Sequence, residues 1–140
     1  MANALFDFGR GAFLQGNHVW ATDAARLHLH DEGVIVPNLT THEDLADVVS
    51  GMVHESANFT YVDQTTADLD DGIGDADQVD LTSVSGATVE SIVIYRETGV
   101  DTTSTLLVYI DVVTPAFPFT PNGGDVSVVW DNGANKIFKL

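Results

Sequence analysis

The chain has 140 residues, a length that suits one domain with one core, and 44% of them are hydrophobic. It contains no cysteine, which excludes disulfide staples, thiolate catalysis and cysteine-ligated zinc or iron–sulfur centres. Twenty-one acids face five bases, a net charge of −16, so the surface repels phosphate backbones and anionic membranes, and neither nucleic acid nor a bilayer is an expected partner.

The bases are Arg10, Arg26, Arg96, Lys136 and Lys139, and none falls between Leu27 and Tyr95. Two explanations of the acidity stay open. One is a high-salt setting, where ions screen the self-repulsion. The other is assembly on a basic surface or through divalent cations. No run of about 18 apolar residues exists to span a bilayer, and the stretch Met1 to Asp7 lacks the basic-then-apolar order of a secretory signal.

In chain order, the first expected element is a helical arm from Asn3 to Gln15. Leu5, Phe6, Phe8, Phe13 and Leu14 are its apolar positions and Asn3 its N-cap. Gly9 and Gly11 weaken it by about 1 kcal/mol each relative to alanine, so it needs a surface to lie on. Gly16-Asn17 is the expected stop. We place the domain boundary there: residues 1–16 form the arm and 17–140 a single β domain.

Ala24 to His30 alternates strictly and predicts a half-buried strand. Ala25, Leu27 and Leu29 fall on one face, with Arg26, His28 and His30 on the other. Val34-Ile35-Val36 is a short apolar run closed by Pro37. Thr41 to Val49 reads as a short helix opened by the capping-box-like Thr40-Thr41-His42-Glu43. Phe59 to Val62 reads as a short strand, the acidic stretch Asp63 to Asp77 as a loop, and Gln78 to Val84 as another alternating strand.

The C-terminal half is rich in β-branched and aromatic residues. Thr88 to Arg96 and Thr103 to Val113 predict an antiparallel hairpin around Glu97 to Asp101. Pro115, Pro118 and Pro121 then exclude regular pairing as far as Gly123-Gly124. A last hairpin is expected between Asp125–Trp130 and Lys136–Leu140. Its register sets Val128 opposite Phe138 and Val126 opposite Leu140, with Gly133 at positive φ in the loop. The fold class is therefore all-β, a sandwich or barrel of about seven or eight antiparallel strands with the helical arm and one short helix.

Candidate chemistry is sparse. His28 and His30, two apart on one strand face, could hold zinc with His42 or His54, although an exposed polar face has the same pattern. No cofactor is expected, although Asp68, Asp70, Asp71, Asp75, Asp77 and Asp80 offer the oxygen ligands that suit Ca²⁺. Their spacing does not fit an EF-hand, and a solvated acidic loop looks the same in sequence. No nucleophile elbow, Walker sequence or His-Glu-x-x-His occurs. Asn38-Leu39-Thr40 and Asn58-Phe59-Thr60 match the glycosylation acceptor pattern.

Several stretches resemble one family. Ala4-Leu5-Phe6-Asp7-Phe8-Gly9-Arg10-Gly11-Ala12-Phe13-Leu14 resembles the opening of a group of small tailed-phage virion proteins. Thr120-Pro121-Asn122-Gly123-Gly124-Asp125 and Trp130-Asp131-Asn132-Gly133-Ala134-Asn135-Lys136-Ile137-Phe138 resemble its close. Ile94-Tyr95-Arg96-Glu97-Thr98-Gly99 and Leu107-Val108-Tyr109-Ile110-Asp111 are similar between them. The sequence departs from the family pattern around residues 20–37, where relatives show a longer apolar strand pair.

The resemblance implies a structural role in the virion and brings no catalytic residues. It implies a capsid decoration (cement) protein on the capsid surface that binds the major capsid protein and other virion proteins. A homo-oligomer is expected, by analogy a trimer. Leu5, Phe6, Phe8, Phe13 and Leu14 are the candidate interface, since buried aromatics often dominate binding energy; the same residues could instead cover this chain's own β domain. The alternatives are a tail, neck or fibre-base component, and a glycan-binding β-sandwich for host attachment using Trp20 as an exposed platform. An enzyme is the least expected class.

Overall fold

The computed structural model describes residues 3–140. The chain is mostly β, with antiparallel strands in three sheets and two short α-helices. The strands are β1 (Ala4–Leu5), β2 (Ala25–His30), β3 (Met52–Glu55), β4 (Ile73–Gly74), β5 (Val79–Leu81), β6 (Ser91–Arg96), β7 (Leu106–Ile110), β8 (Val126–Val128) and β9 (Phe138–Lys139). The helices are α1 (Asp7–Leu14) and α2 (Thr66–Asp70). A five-stranded sheet in the order β1-β7-β6-β2-β3 forms the frame, and β4-β9 and β5-β8 make two small sheets.

β2, β6 and β7 are the strands whose β-branched and alternating pattern is strongest, and they occupy the centre. β6 and β7 form the expected hairpin, with a bulge opposite Ile94 and Tyr95. The bulge falls at Leu107 and resets the alternation of β7. Leu107, Val108 and Ile110 therefore join one core cluster, while Leu106 and Tyr109 join the other.

The first cluster lies between one face of the large sheet and the two small sheets. It gathers Leu27, Leu29, Ile92 and Ile94 with Leu81 and Phe138. The second lies on the opposite face, where Val93, Tyr95, Leu106 and Tyr109 pack against Phe6, Leu45 and Val48. β2 is thus buried on both faces rather than half-buried as its alternation predicts, with Leu27 and His28 alike fully enclosed. Position explains this: β2 sits between β6 and β3, and residues 45–52 cover its polar side.

The N-terminal stretch is woven into the domain. Ala4 and Leu5 pair with Tyr109 and Val108, and α1 packs on β7. Asn3 is not the helix cap. Its side-chain oxygen accepts the amides of Asp111 and Val112 at 3.0 and 2.9 Å, fastening the chain end across the sheet. The helix starts at Asp7, behind an extended Phe6 that offers no side-chain cap. A Cβ on Gly9 would stand 2.7 Å from the Leu106 carbonyl oxygen, so only glycine lets α1 cross β7 this closely. Gly16, at φ 69°, ends the helix as expected.

Other local expectations shift. The Thr41–Val49 helix is replaced by two single 3₁₀ turns, Leu45–Asp47 and Val49–Gly51, the first capped by Asp44 and Asp47 instead of by Thr40 and Glu43 and the second without a side-chain cap. Phe59 to Val62 forms no strand; the Phe59 amide donates to the Ala25 carbonyl and the Thr60 carbonyl accepts the Asp77 amide, but no ladder develops. The stretch read as a loop contains α2, opened by a reciprocal Thr65–Asp68 capping box, and β4.

The largest correction concerns the last hairpin. β8 pairs with β5, setting Val126 opposite Leu81 and Val128 opposite Val79. β9 pairs with β4, setting Phe138 opposite Gly74. Lys136, not Gly133, takes the positive φ, at 48°. Contacts from residues 75–77 draw the two segments apart. The Trp130 indole donates to the Asp77 carbonyl at 3.0 Å, and the Lys136 ammonium pairs with Asp75 at 2.9 Å.

Phe138 lies against Trp20, with ring centroids 4.8 Å apart, and against Phe13 at 5.3 Å. Its ring fills the space a side chain on Gly74 would need. Removing residues 138–140 strips that ring and the β4–β9 ladder. The expected loss is about 3–5 kcal/mol, the cost of emptying a buried aromatic site, read as a lowered urea midpoint of the shortened chain.

Candidate functional site

The five expected interface residues divide. Phe6 is fully buried, Leu5 is buried and Phe13 half-buried within this chain's own core. Phe8 is 38% exposed and Leu14 89%. Of the two rings in helix α1, Phe13 turns inward and Phe8 stays partly exposed, and Leu14 is the most exposed of its apolar residues.

His28 and His30 do lie together, with ring centroids 5.1 Å apart, but under the 45–52 segment instead of at the surface. Neither ring nitrogen of His28 makes a well-formed hydrogen bond. Burial pushes it down to about 3, the neighbouring His30 ring adds to this, and a weak contact with the Leu29 backbone opposes it. The Nε2 of His30 lies 2.7 Å from the Ile35 carbonyl, so that nitrogen carries the proton and donates. Burial lowers His30 as well, against the pull of that carbonyl and of Glu32, Asp31 and Glu90.

Tyr95 lies beside His28, with ring centroids 6.0 Å apart, and shares the second core cluster with Tyr109. Tyr95 donates to Glu55, and Tyr109 donates to Glu32. Both phenols are raised by burial first and by their carboxylate partners second. Arg26 links Glu55, at 2.9 Å, to Glu97, at 3.5 Å. His42 accepts the Asn38 amide, and His54 lies on β3, so neither joins His28 and His30 in a ligand set.

The candidate calcium ligands are dispersed over separate tasks. Asp68 caps α2, and its hydrogen bond from Thr65 holds it below the usual carboxylate range. Asp70 and Asp71 end that helix. Asp75 is buried against Lys136. Asp77 accepts the Asp63 amide and the Thr60 hydroxyl, and Asp80 accepts from Gln78 and Ser127. Among the described residues, no group of three or more His, Asp or Glu is arranged to hold a metal ion.

Trp20 is buried and donates its indole proton to the Asp75 carbonyl at 2.7 Å. Its faces meet Phe59, Tyr61 and Phe138, so it offers no open platform to a sugar ring.

The structure also holds an apolar groove that the sequence did not single out. A groove of about 640 Å³ opens onto the first core cluster. Its floor is Leu29, Ile92 and Ile110 of the large sheet. One wall is the proline-containing loop 112–117, backed by the stacked rings of Phe117 and Phe119 at 6.0 Å. The other wall is the stretch 125–131 that contains β8 and Trp130. The available signal was Val112, Val113, Phe117 and Phe119 in a segment barred by proline from regular pairing: apolar residues there have to cover a neighbouring surface.

No model of a known protein family matches the chain, and no curated protein matches it.

Proposed function

We propose that this chain is a structural protein of a tailed-virus particle, a capsid decoration protein that docks on the major capsid protein. The observation that carries this reading is what the family-like stretches do in the fold. Gly9 lets α1 cross β7, and Tyr95 and Tyr109 anchor the second core cluster. Asn122, Gly123 and Asp125 build the turn that holds residues 83–84 against 124–125, with Gly123 at φ 85° and Asp125 accepting the Ser83 amide. Phe138 plugs the junction of three elements. Residues that resemble the family thus sit at turns, close approaches and core positions of the fold, which supports the reading.

In this role the large sheet and the two small ones act as a stiff sandwich-like body. A net charge of −16 complements a basic shell surface. Copies assemble as homo-oligomers, trimers in the decoration role. The expected result is that an antibody raised against the chain labels the heads of purified particles in negative stain. Label confined to tails, necks or fibre bases would move the protein to that part of the virion. Absence from the particle would overturn the reading altogether.

A further inference from the structure

We propose that the groove between the 112–117 loop and β8 receives an extended, apolar, basic-flanked segment of a partner protein, added as a strand along the free edge of β8. The inference deepens the docking role argued above and rests on it for the existence of a partner.

Three observations lead there. β8 pairs with β5 along one edge, and among the described residues no strand pairs with its other edge. All seven residues from Asp125 to Asp131 line the groove, inward-facing and outward-facing alike, so the strand meets it edge-on with backbone donors and acceptors available. The floor is apolar and the walls largely so, and Val112 and Val129 in those walls stand 63% and 70% exposed. An incoming strand would place alternate side chains on Leu29, Ile92 and Ile110 and exchange main-chain hydrogen bonds with β8.

Charge selects the occupant. Asp125 and Asp131 stand at the ends of the β8 wall, and the one lysine in the lining, Lys136, is held by Asp75. This chain's own bases flank a short apolar core only at Lys136 and Lys139, and there Phe138 is buried and Lys136 pairs with Asp75, so among the described residues a second copy offers no free segment that matches the acidic ends of this groove. A segment with lysine or arginine on either side of a short apolar core meets complementary charge at both ends.

The test uses the full chain and a panel of fluorescent synthetic peptides whose alternating valine, isoleucine, leucine or phenylalanine cores carry lysine or glutamate flanks. Lysine-flanked members are expected to bind, with at least tenfold weaker binding for glutamate flanks and for N-methylated backbones that cannot pair. Val129→Lys and Val112→Lys alter exposed side chains and should keep the far-UV spectrum and thermal midpoint while weakening binding about tenfold, and raised salt should weaken it too. Failure of every lysine-flanked peptide to bind below about 1 mM overturns the proposal, as does equal binding of glutamate-flanked or N-methylated peptides, or unchanged binding by the folded Val129→Lys chain. A dimer in sedimentation that Val129→Lys abolishes would give the groove to a second copy and likewise overturn it. None of these outcomes depends on where the chain sits in a particle, so they remain separate from the antibody experiment.

Discussion

Phe6→Ala is expected to destabilise the chain by about 3–5 kcal/mol, a large share of the roughly 5–15 kcal/mol that holds a domain of this size folded. The ring is fully enclosed, packed with Leu45, Val48, Val93, Tyr95, Leu106 and Tyr109. Its amide donates to the Leu107 carbonyl at 3.0 Å, so the backbone beside the ring is fixed and cannot slide in to fill the space. The truncation leaves a cavity between the sheet and the 3₁₀ turns. Leu14→Ala serves as the control: Leu14 is 89% exposed, and its truncation should change stability by no more than about 0.5 kcal/mol. Urea denaturation of both variants measures the difference. A Phe6→Ala chain as stable as the parent would mean that the N-terminal stretch does not belong to this core and is free to order on a neighbour.

Stability is expected to fall as the pH drops from 7.5 to 5.0. His28 is lowered to about 3 and His18 to about 4, each chiefly by burial. At His18 the nearby Asp23 opposes the burial and Arg96 reinforces it. In the unfolded chain both titrate near 6.5. Between that value and the lowered one, the unfolded state binds the proton and the folded state does not. Acid therefore favours unfolding across the window, and stability is regained as pH rises through 6.5. Each histidine contributes a slope of up to about 1.4 kcal/mol per pH unit once the pH is well below 6.5. His30, lowered in the same direction, adds to it.

The groups around the buried pair do not reverse the sign. Tyr95 and Tyr109 stay protonated, and the upward pull of Glu32, Asp31 and Glu90 on His30 is outweighed by its burial. Urea midpoints at pH 7.5, 6.0 and 5.0 measure the slope, and His28→Leu should remove about a third to a half of it. A flat profile over that range would show that the histidines are hydrated or already charged in the folded chain.

The buried histidines illustrate what a sequence conceals. Strict alternation from Ala25 to His30 assigns side chains to two faces, and it does so correctly. It does not say whether the second face meets water. That depends on β3 and the 45–52 segment, twenty residues away, lying over it. The same limit applies to Phe6, Phe8 and Phe13. Their spacing marks an apolar helix, but whether its partner is this chain or another is a question of tertiary packing.

What the sequence by itself determined is local and periodic. The strands β2, β6 and β7, the β6–β7 hairpin, the stop at Gly16 and the irregular stretch after Pro115 all follow from alternation, β-branching, glycine and proline. The acidity and the lack of thiol chemistry follow from composition alone. Only the tertiary structure decided which strands pair at the C-terminal end. Val126 and Val128 match Leu81 and Val79 as well as they match Leu140 and Phe138, because a ladder offers the same hydrogen bonds to any partner strand and apolar matching alone is degenerate. The Trp130–Asp77 bond and the Lys136–Asp75 ion pair, made between residues more than 50 positions apart, select one pairing over the other. The groove beside β8 arises from that choice, since a local hairpin would have brought β9 to the side of β8.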